Sequence, residues 1–306
     1  MNNELLLVGG AGFLGSRLAG EFLDTGWNVA ILDRFPSREL EGRVVQFTGE
    51  LRDTHFVRSA LVRYPRNILY LAHETRTAPA TDRSTANFIG NLETFSTFLE
   101  EAVDSGVETF TLFSSGGAVY GEPETLPIPE SHPTNPKSSY GIAKLTMEKY
   151  LRMTADLRGF RHLCVRPSNP YGPGQNFNGS QGLVAIAMAR IARGERLTIY
   201  GDGSATKDYL FANDLANAVR LLLQDARTSG CFNIGSGIGI ASTHLIQMIE
   251  SVVGRKARLQ FAPPLPGDVS ANVLDVSLLK SSTGWQPGVS IEDGLVKTWD
   301  WIRPRL

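Results

Sequence analysis

The sequence predicts an α/β fold in which a doubly wound parallel sheet carries a smaller C-terminal α/β lobe that binds the substrate. Three observations predict it. Short apolar runs alternate with amphipathic helical patterns, a glycine-rich turn joins the first run to the first helix, and the composition changes after Arg166. Strands buried on both faces appear as continuous apolar runs, as seen here. We expect the first domain to span 1–167 and the lobe 168–306, with some lobe segments returning to the first domain.

Apolar periodicity places the elements of the first domain. Continuous apolar runs predict strands at 4–8, 28–32, 43–47, 67–71, 108–113 and 162–166. Helical spacing of apolar residues predicts helices at 13–24, 86–104 and 140–157. The first two helices stop at Gly26 and Gly106, glycines of the kind that end helices.

The lobe starts with a change in amino-acid composition. Three prolines and four glycines between 167 and 182 predict a long functional loop. A helix is predicted at 183–193, followed by short alternating elements and a second proline-rich loop at 263–267.

Composition and charge exclude several classes of partner. The 306 residues contain 30 Lys and Arg against 31 Asp and Glu, so no basic excess points to nucleic acid or to an anionic membrane surface. The apolar run at 5–8 is too short for a signal peptide, and no run approaches the ~20 residues of a membrane span. The two cysteines, Cys164 and Cys231, fit free buried thiols in a reducing cytoplasm. No metal site is predicted.

A glycine-rich turn follows the first predicted strand. Its sequence, Gly9-Gly-Ala-Gly-Phe-Leu-Gly15, fits the dinucleotide-binding (Rossmann) fingerprint, in which glycines permit a tight turn, close approach of a pyrophosphate and helix–strand packing. The following helix would present free N–H groups to the phosphates. Asp33 ends the next strand, where a carboxylate accepts hydrogen bonds from the adenosine ribose and repels a 2′-phosphate. The pattern predicts NAD rather than NADP, although Arg34 follows directly.

Tyr140 and Lys144 lie four residues apart and therefore on one face of a predicted helix. A free phenol has a pKa near ~10 and is a poor base at neutral pH. An adjacent ammonium group, joined by a positive nicotinamide ring, would favour the phenolate. The pair is therefore the predicted general acid/base.

Through these motifs the chain resembles the extended short-chain dehydrogenases, in particular the NAD-dependent epimerase/dehydratase family that acts on nucleotide sugars. The resemblance runs nearly end to end. Its motifs are the glycine loop, Asn87-Phe-Ile-Gly90, Phe113-Ser-Ser-Gly-Gly-Ala-Val-Tyr-Gly121, Tyr140 with Lys144, Arg166-Pro-Ser-Asn-Pro-Tyr-Gly-Pro-Gly174, Gly201-Asp-Gly-Ser-Ala-Thr-Lys-Asp-Tyr209 and Pro266-Gly-Asp268.

The resemblance implies a set of NAD contacts. Asp33 would bind the adenosine ribose, Glu50 stands where the family usually places an aspartate near the adenine, and Lys144 would also hold the nicotinamide ribose. His73, near the edge of the expected cofactor site, is interpreted as a packed or solvated side chain rather than as a residue that assists at this site. The implied cofactor-binding residues are Gly9, Gly12, Phe13, Leu14, Gly15, Asp33, Arg34, Glu50, Leu51, Leu71, Ala72, Asn87, Ser114, Tyr140, Lys144 and Pro167.

The resemblance also implies nucleotide-sugar contacts. Two family arginines that hold the diphosphate correspond to Lys207 and Leu265 here, so diphosphate binding is expected to be weaker or the substrate to differ. Arg166 and Arg190 are further basic candidates. The implied substrate-binding residues are Gly116, Asn169, Gln181, Tyr200, Lys207 and Asp268.

Besides the differences at Lys207 and Leu265, the chain differs from the family at the hydroxyl group that bridges the tyrosine and the substrate. Its position holds Gly116, while Ser115 lies one residue earlier and is taken as a catalytic residue with Tyr140 and Lys144. Since a one-residue shift in an extended segment turns a side chain to the other face, a bridging water is an alternative. A serine at position 116 is expected to be tolerated.

Among the reactions of this family, C4 epimerisation of a UDP-sugar through a transient 4-keto intermediate is predicted by exclusion. Dehydratases carry an acidic pair where this chain has Gly117 and Ala118, and the carboxylate and arginine of the decarboxylases have no counterpart. A net nucleotide-sugar oxidoreductase and a non-catalytic NAD-binding scaffold remain as alternatives. The helices that start at Ala86 and Tyr140 could pair across a homodimer, as is common in the family.

Overall fold

A computed structural model describes residues 3–73, 84–265 and 267–306. Pro266, the first residue of the Pro-Gly-Asp motif, therefore lies outside the described residues. The strands are β1 Glu4–Val8, β2 Asn28–Asp33, β3 Val45–Thr48, β4 Asn67–Tyr70, β5 Thr109–Phe113, β6 Arg161–Pro167, β7 Asn169–Tyr171, β8 Arg196–Tyr200, β9 Thr206–Phe211, β10 Gly230–Ile234, β11 Gly239–Ala241, β12 Arg258–Ala262 and β13 Ala271–Asn272. The α-helices are α1 Phe13–Asp24, α2 Thr54–Leu61, α3 Ser84–Asp104, α4 Ser139–Arg158, α5 Leu183–Arg193, α6 Ala212–Gln224, α7 Ser242–Val253, α8 Ser277–Thr283 and α9 Ile291–Ile302.

The main sheet has seven parallel strands in the order β10-β6-β5-β4-β1-β2-β3. Helices cover both of its faces, which confirms the doubly wound α/β fold. Strand β1 lies inside the sheet, and its residues Leu5 to Val8 are completely buried, as the continuous apolar run predicts. The order reverses at β1, since β2 and β3 continue to one side and β4, β5 and β6 to the other. Ligands of such sheets bind at the carboxyl ends of the strands around this point.

Two apolar cores fill the faces of the sheet. Side chains of α1, α6 and α8 form one of them, and side chains of α2, α3 and α4 form the other. Helix α2 was not predicted because it has only eight residues and three buried side chains. Its start is nevertheless marked in the sequence, since the carboxylate of Asp53 caps it by accepting from the N–H groups of His55 and Phe56.

The C-terminal part of the chain builds a smaller unit and also returns to the main sheet. Strands β7, β9, β11 and β13 form a second sheet, β8 pairs with β12, and α5, α7 and α9 pack around a third core. Strand β10 adds to the main sheet beside β6, in register from Gly230 with Leu163 to Ile234 with Pro167. The boundary at 167 and 168 stays a prediction. In the described parts of the chain, no helix combines the length and the apolar character that a membrane crossing requires.

Candidate active site

The glycine loop lies at the carboxyl end of β1 and has no room for side chains at two positions. Gly9 has a φ of +81°, and a Cβ on it would lie 2.7 Å from the backbone nitrogen of Ala72. A Cβ on Gly15 would collide with the carbonyl oxygen of Gly10. Around Gly12, by contrast, a Cβ would have no atom within 4 Å, so the loop opens at this position. Gly12 is also the N-cap of α1 and brings no side chain to the first N–H groups of that helix.

Asp33 is fixed at the end of β2, beside this loop. Its Oδ2 accepts a hydrogen bond from the N–H of Ala11 at 3.0 Å, and its Oδ1 accepts one from the N–H of Phe35 at 3.4 Å. The carboxylate is half-buried, so it remains accessible to a ribose while the backbone holds its orientation.

A cavity of about 870 Å³ lies over the carboxyl ends of β1 to β4. Some of the predicted cofactor residues do not line it; these are Phe13, Leu14, Gly15, Ser114, Tyr140, Lys144 and Pro167. The predicted residues that do line it are Gly9, Gly12, Asp33, Arg34, Glu50, Leu51, Leu71, Ala72 and Asn87.

Tyr140 and Lys144 lie at the carboxyl end of β5, two strands from the glycine loop. Helix α4 starts one residue before Tyr140, where the hydroxyl of Ser138 caps it by accepting from the N–H of Gly141 at 3.1 Å. The buried ammonium of Lys144 donates to the carbonyl oxygen of Phe113 at 2.7 Å. Its Nζ is 6.0 Å from the centroid of the Tyr140 ring, so the pair shares one helix face as predicted.

The hydroxyl of Ser115 lies beside the phenol of Tyr140, close enough to lower its pKa. Strand β5 ends at Phe113, but the N–H groups of Ser114 and Gly116 still donate to the carbonyl oxygens of Val165 and Pro167 on β6, so the segment stays extended through Ser115. The turn begins only at residue 116, and within it the N–H of Val119 donates to the carbonyl of Ser115 at 3.2 Å. The extended geometry that the sequence-based argument assumed is therefore present, and Ser115 lies on the face that Tyr140 approaches.

Burial and neighbouring side chains set the proton affinities of this group. Burial raises the pKa of Tyr140, and the hydroxyl of Ser115 opposes this shift. Burial lowers the pKa of Lys144 to about 8, against the opposing charge of Glu148. The side chains around Tyr140 therefore favour the neutral phenol. Additional positive charge, such as the nicotinamide ring that the sequence predicts, is needed to favour the phenolate.

The lowered pKa of Lys144 predicts a pH dependence of stability. The unfolded chain keeps this proton up to about 10.5 and the folded chain only up to about 8, so the unfolded state binds more protons between these values. The free energy of unfolding of the wild type, relative to the similarly shaped Lys144→Met variant, should therefore rise from pH 8 to 10.5, by roughly 3 kcal/mol. Urea unfolding of both proteins across this window measures the difference, and a constant difference would contradict the shift.

Gly116 is packed where a family member would carry a hydroxyl group. A Cβ on Gly116 would lie 2.6 Å from Cδ1 of Leu274 and 3.0 Å from the carbonyl oxygen of Arg166. Its own carbonyl accepts a hydrogen bond from Nδ2 of Asn272 at 2.9 Å. The sequence alone predicts that serine is tolerated here, but the space is already filled, so the structure predicts a cost instead.

Gly116→Ser should lower the free energy of unfolding by about 1–3 kcal/mol, the usual cost of overpacking a tight site. Gly117→Ser is the matched control, because a Cβ there meets only Oγ of Ser115 at 3.8 Å. Chemical denaturation of the two variants compares them directly. Equal stability of both variants would show that Leu274 moves aside without cost.

Arg166 is not available to a substrate, contrary to the sequence-based expectation. Its guanidinium binds the carboxylate of Glu148 through Nε at 3.0 Å and Nη2 at 2.6 Å, and Nη1 donates to the hydroxyl of Tyr120 at 2.9 Å. Both charged groups are buried. The hydroxyl of Ser114, predicted to contact the cofactor, also donates to Glu148. These residues form a buried polar network directly behind Lys144.

The remaining predicted substrate residues lie on the smaller unit. The amide Nδ2 of Asn169 donates to the carbonyl of Asp208 at 2.9 Å. The ammonium of Lys207 donates to the carbonyl of Val269 at 2.8 Å and lies 3.5 Å from Oδ1 of Asp268. Its charge is therefore partly compensated within the protein. Gln181 precedes α5, Tyr200 ends β8, and both side chains are exposed.

Sequence reasoning missed two polar residues of this region. Glu148 lies four residues after Lys144 and therefore on the same helix face, a spacing that could have identified it. Asn272 donates a hydrogen bond to the carbonyl of Gly116, which lies 156 positions earlier in the sequence, so only the fold reveals this contact.

The described residues fit a dinucleotide. The cavity combines a loop that opens at Gly12, the uncapped start of α1 and a fixed carboxylate at Asp33. An uncapped helix start suits phosphates, and the carboxylate suits ribose hydroxyls.

Comparisons with known proteins agree with this geometry. Residues 5–235 match the NAD dependent epimerase/dehydratase family. A UDP-glucose 4-epimerase from Mycolicibacterium smegmatis is 32% identical over 97% of this chain and 98% of its own length. A crystal structure of UDP-glucose 4-epimerase from Thermotoga maritima with UDP-glucose has a TM-score of 0.92 at 31% identity, covering 99% of both chains. A Thermus thermophilus UDP-glucose 4-epimerase in complex with NAD has the same score and identity, covering 99% of this chain and all of that one.

Proposed function

Because the chain belongs to the NAD-dependent epimerase/dehydratase family, we propose that it is an NAD-dependent epimerase that inverts C4 of a nucleotide sugar, with a UDP-sugar as its substrate. The observation that carries the proposal is the arrangement of Ser115, Tyr140 and Lys144 at the end of β5, next to a cavity that fits NAD. The curated and solved relatives that act on UDP-sugars support the choice of substrate.

Tyr140 is the acid/base of the proposed reaction. NAD, when bound, supplies a hydride acceptor and a positive ring. The phenol of Tyr140 takes the proton of the sugar hydroxyl and later returns it. Ser115 lies where its hydroxyl can orient the phenol, and Lys144, held by the carbonyl of Phe113, keeps a cation on the same helix face. Inversion at C4 then requires that the keto sugar presents its other face before the hydride returns to its carbon and the proton to its oxygen.

The turn after Ser115 favours epimerisation over dehydration. Gly117 and Ala118 occupy the positions at which a dehydratase would need an acidic pair, and both lie in the turn. Without acidic groups there, elimination of water lacks a proton donor and a base.

An activity screen over UDP-, GDP- and dTDP-sugars, read by NMR of the anomeric protons, tests the proposal. We expect a UDP-sugar to be converted to its C4 epimer while the purified protein keeps its NAD through turnover. A requirement for added NAD or NADH with a net change in redox state would favour an oxidoreductase instead. No turnover of any sugar would favour the non-catalytic scaffold.

We also propose a homodimer formed through α3 and α4, in the cytoplasm. These helices pack against each other and carry exposed apolar side chains on their outer faces. Ile142, Met153 and Leu157 follow each other at helical spacing on α4, and Ile89 lies on α3. Such a row supports burial against the same two helices of a second copy. Cys164 and Cys231 lie in register on β6 and β10, and a cysteine count this low fits the proposed reducing compartment.

Leu157→Glu should convert the dimer to a monomer, because a carboxylate would be buried in the apolar contact. Leu157 is 75% exposed in the single chain. Val62→Glu is the control, since Val62 is 81% exposed but lies at the end of α2. Sedimentation of the three proteins compares their masses. A dimeric Leu157→Glu variant would exclude this face.

A further inference from the structure

His73 lies between the cofactor cavity and Tyr140. It follows the end of β4 by three residues and lines the cavity together with Gly9 and Ala72. Its ring also meets the ring of Tyr140 edge-on, with the two centroids 4.8 Å apart and an interplanar angle of 85°. Among the described residues, His73 is the one that both lines the cavity and makes a ring contact with Tyr140.

The strand order indicates which half of a dinucleotide His73 would meet. Asp33 and Glu50 lie at the ends of β2 and β3, on one side of the glycine loop. Strands β4 and β5 lie on the other side, with Tyr140 near the end of β5. A dinucleotide with its adenosine at Asp33 and its pyrophosphate at the glycine loop has its nicotinamide half on the β4 side. His73 is on that side.

The imidazole of His73 has an unused hydrogen-bonding atom. Its Nδ1 is buried and has no hydrogen-bond partner in the parts of the chain that the structure describes. Burial, together with the charge of Lys144, lowers the pKa of His73 to about 3, so the ring is neutral near pH 7 and offers one donor and one acceptor. A buried polar atom without a partner destabilises the folded protein, so it calls for a function or a ligand.

A second histidine–tyrosine contact shows what a purely structural pair looks like. His132 meets Tyr120 edge-on, with centroids 5.8 Å apart. Both of its nitrogens have partners, since Nε2 accepts from the N–H of Glu124 at 3.0 Å and Nδ1 lies 2.7 Å from the carbonyl oxygen of Pro133. His73 makes the same kind of ring contact, but its Nδ1 has no hydrogen-bond partner among residues 3–73, 84–265 and 267–306.

We propose that His73 is a cofactor-binding residue whose imidazole hydrogen-bonds the nicotinamide half of bound NAD and holds this half against Tyr140. The proposal rests on the proposed function, because it requires NAD in the cavity. It replaces the sequence-based interpretation of His73 as a merely packed or solvated side chain.

Calorimetric titration with NAD and with ADP tests the proposal, on the full chain freed of bound NAD beforehand and checked for retained folding. ADP carries the adenosine and the diphosphate but no nicotinamide or nicotinamide ribose. His73→Phe keeps a ring against Tyr140 and removes both nitrogens, whereas His73→Asn keeps a polar atom close to the position of Nδ1. We expect His73→Phe to weaken NAD binding about 5- to 20-fold and His73→Asn to recover part of it. Both variants should bind ADP within about twofold of the wild type.

His132→Phe is the matched control and should leave the affinity for NAD unchanged. Wild-type affinity of His73→Phe for NAD would overturn the inference and leave the proposed function intact, because it would mean that the ring only packs. A parallel loss of NAD and ADP binding would also overturn it, because the whole cavity would then be disturbed. A wild-type protein that binds no NAD would overturn the proposed function as well.

Discussion

Tyr140→Phe should lower turnover by at least ~100-fold, because it removes the group that takes and returns the proton of the sugar hydroxyl. Phenylalanine keeps the ring that contacts His73, so the fold should be unaffected. Initial rates with a UDP-sugar, measured at saturating substrate, give the change in kcat. Binding of NAD should stay close to that of the wild type, which separates loss of chemistry from loss of cofactor.

The matched control is Tyr150→Phe on the same helix. Its hydroxyl lies 3.4 Å from Oε1 of Glu100 and is exposed, so its removal should leave turnover unchanged. Near-normal activity of Tyr140→Phe would show that another group moves the proton, and the proposed mechanism would have to be abandoned.

Glu148→Gln should destabilise the protein by about 3–5 kcal/mol, since it leaves the guanidinium of Arg166 buried without its counter-charge. The two groups are 3% and 5% exposed, and no water can replace the carboxylate easily. Urea unfolding at pH 7 measures the change. Because the charge of Glu148 supports the protonated state of Lys144, the variant should also lower the pKa of Lys144 further.

An exposed ion pair on the same helix provides the control. Arg152 and Asp156 lie 3.8 Å apart, and both are more than 60% exposed. Asp156→Asn should therefore cost less than about 1 kcal/mol. The double variant Glu148→Gln/Arg166→Met should recover part of the lost stability, because no unpaired charge remains. A single Glu148→Gln variant as stable as Asp156→Asn would contradict the account of this network.

The parts of the site that could be predicted are those encoded locally. The glycine loop, Asp33 and the Tyr140–Lys144 pair each follow from spacing within one strand–turn–helix unit or one helical turn. The relative position of these motifs follows from the parallel sheet, which brings the carboxyl ends of its strands to one edge.

Other features could not be read from the sequence because they depend on contacts between distant segments. Arg166 carries a charge in a motif associated with the substrate, but its partner Glu148 lies on another element. Only the structure shows that the two groups are buried and bound to each other. Whether Ser115 faces Tyr140 depends on where helix α4 lies relative to the end of β5, which the local sequence does not give. From the sequence, Gly116 was expected to leave room for a side chain. In the structure Leu274, which lies 158 positions later in the sequence, fills that space.

The pairing of β10 with β6 has a consequence for how the chain can be divided. The polypeptide leaves the main sheet after β6, builds part of the smaller unit, and only then adds the outermost strand. A fragment that stops at residue 167 would leave the backbone N–H and C=O groups along one side of β6 unsatisfied, a surface prone to aggregate. During synthesis, the nucleotide-binding half therefore cannot be completed before residue 234 has left the ribosome. The dinucleotide fingerprint lies within the first 33 residues, but the sheet that supports it is finished some two hundred residues later.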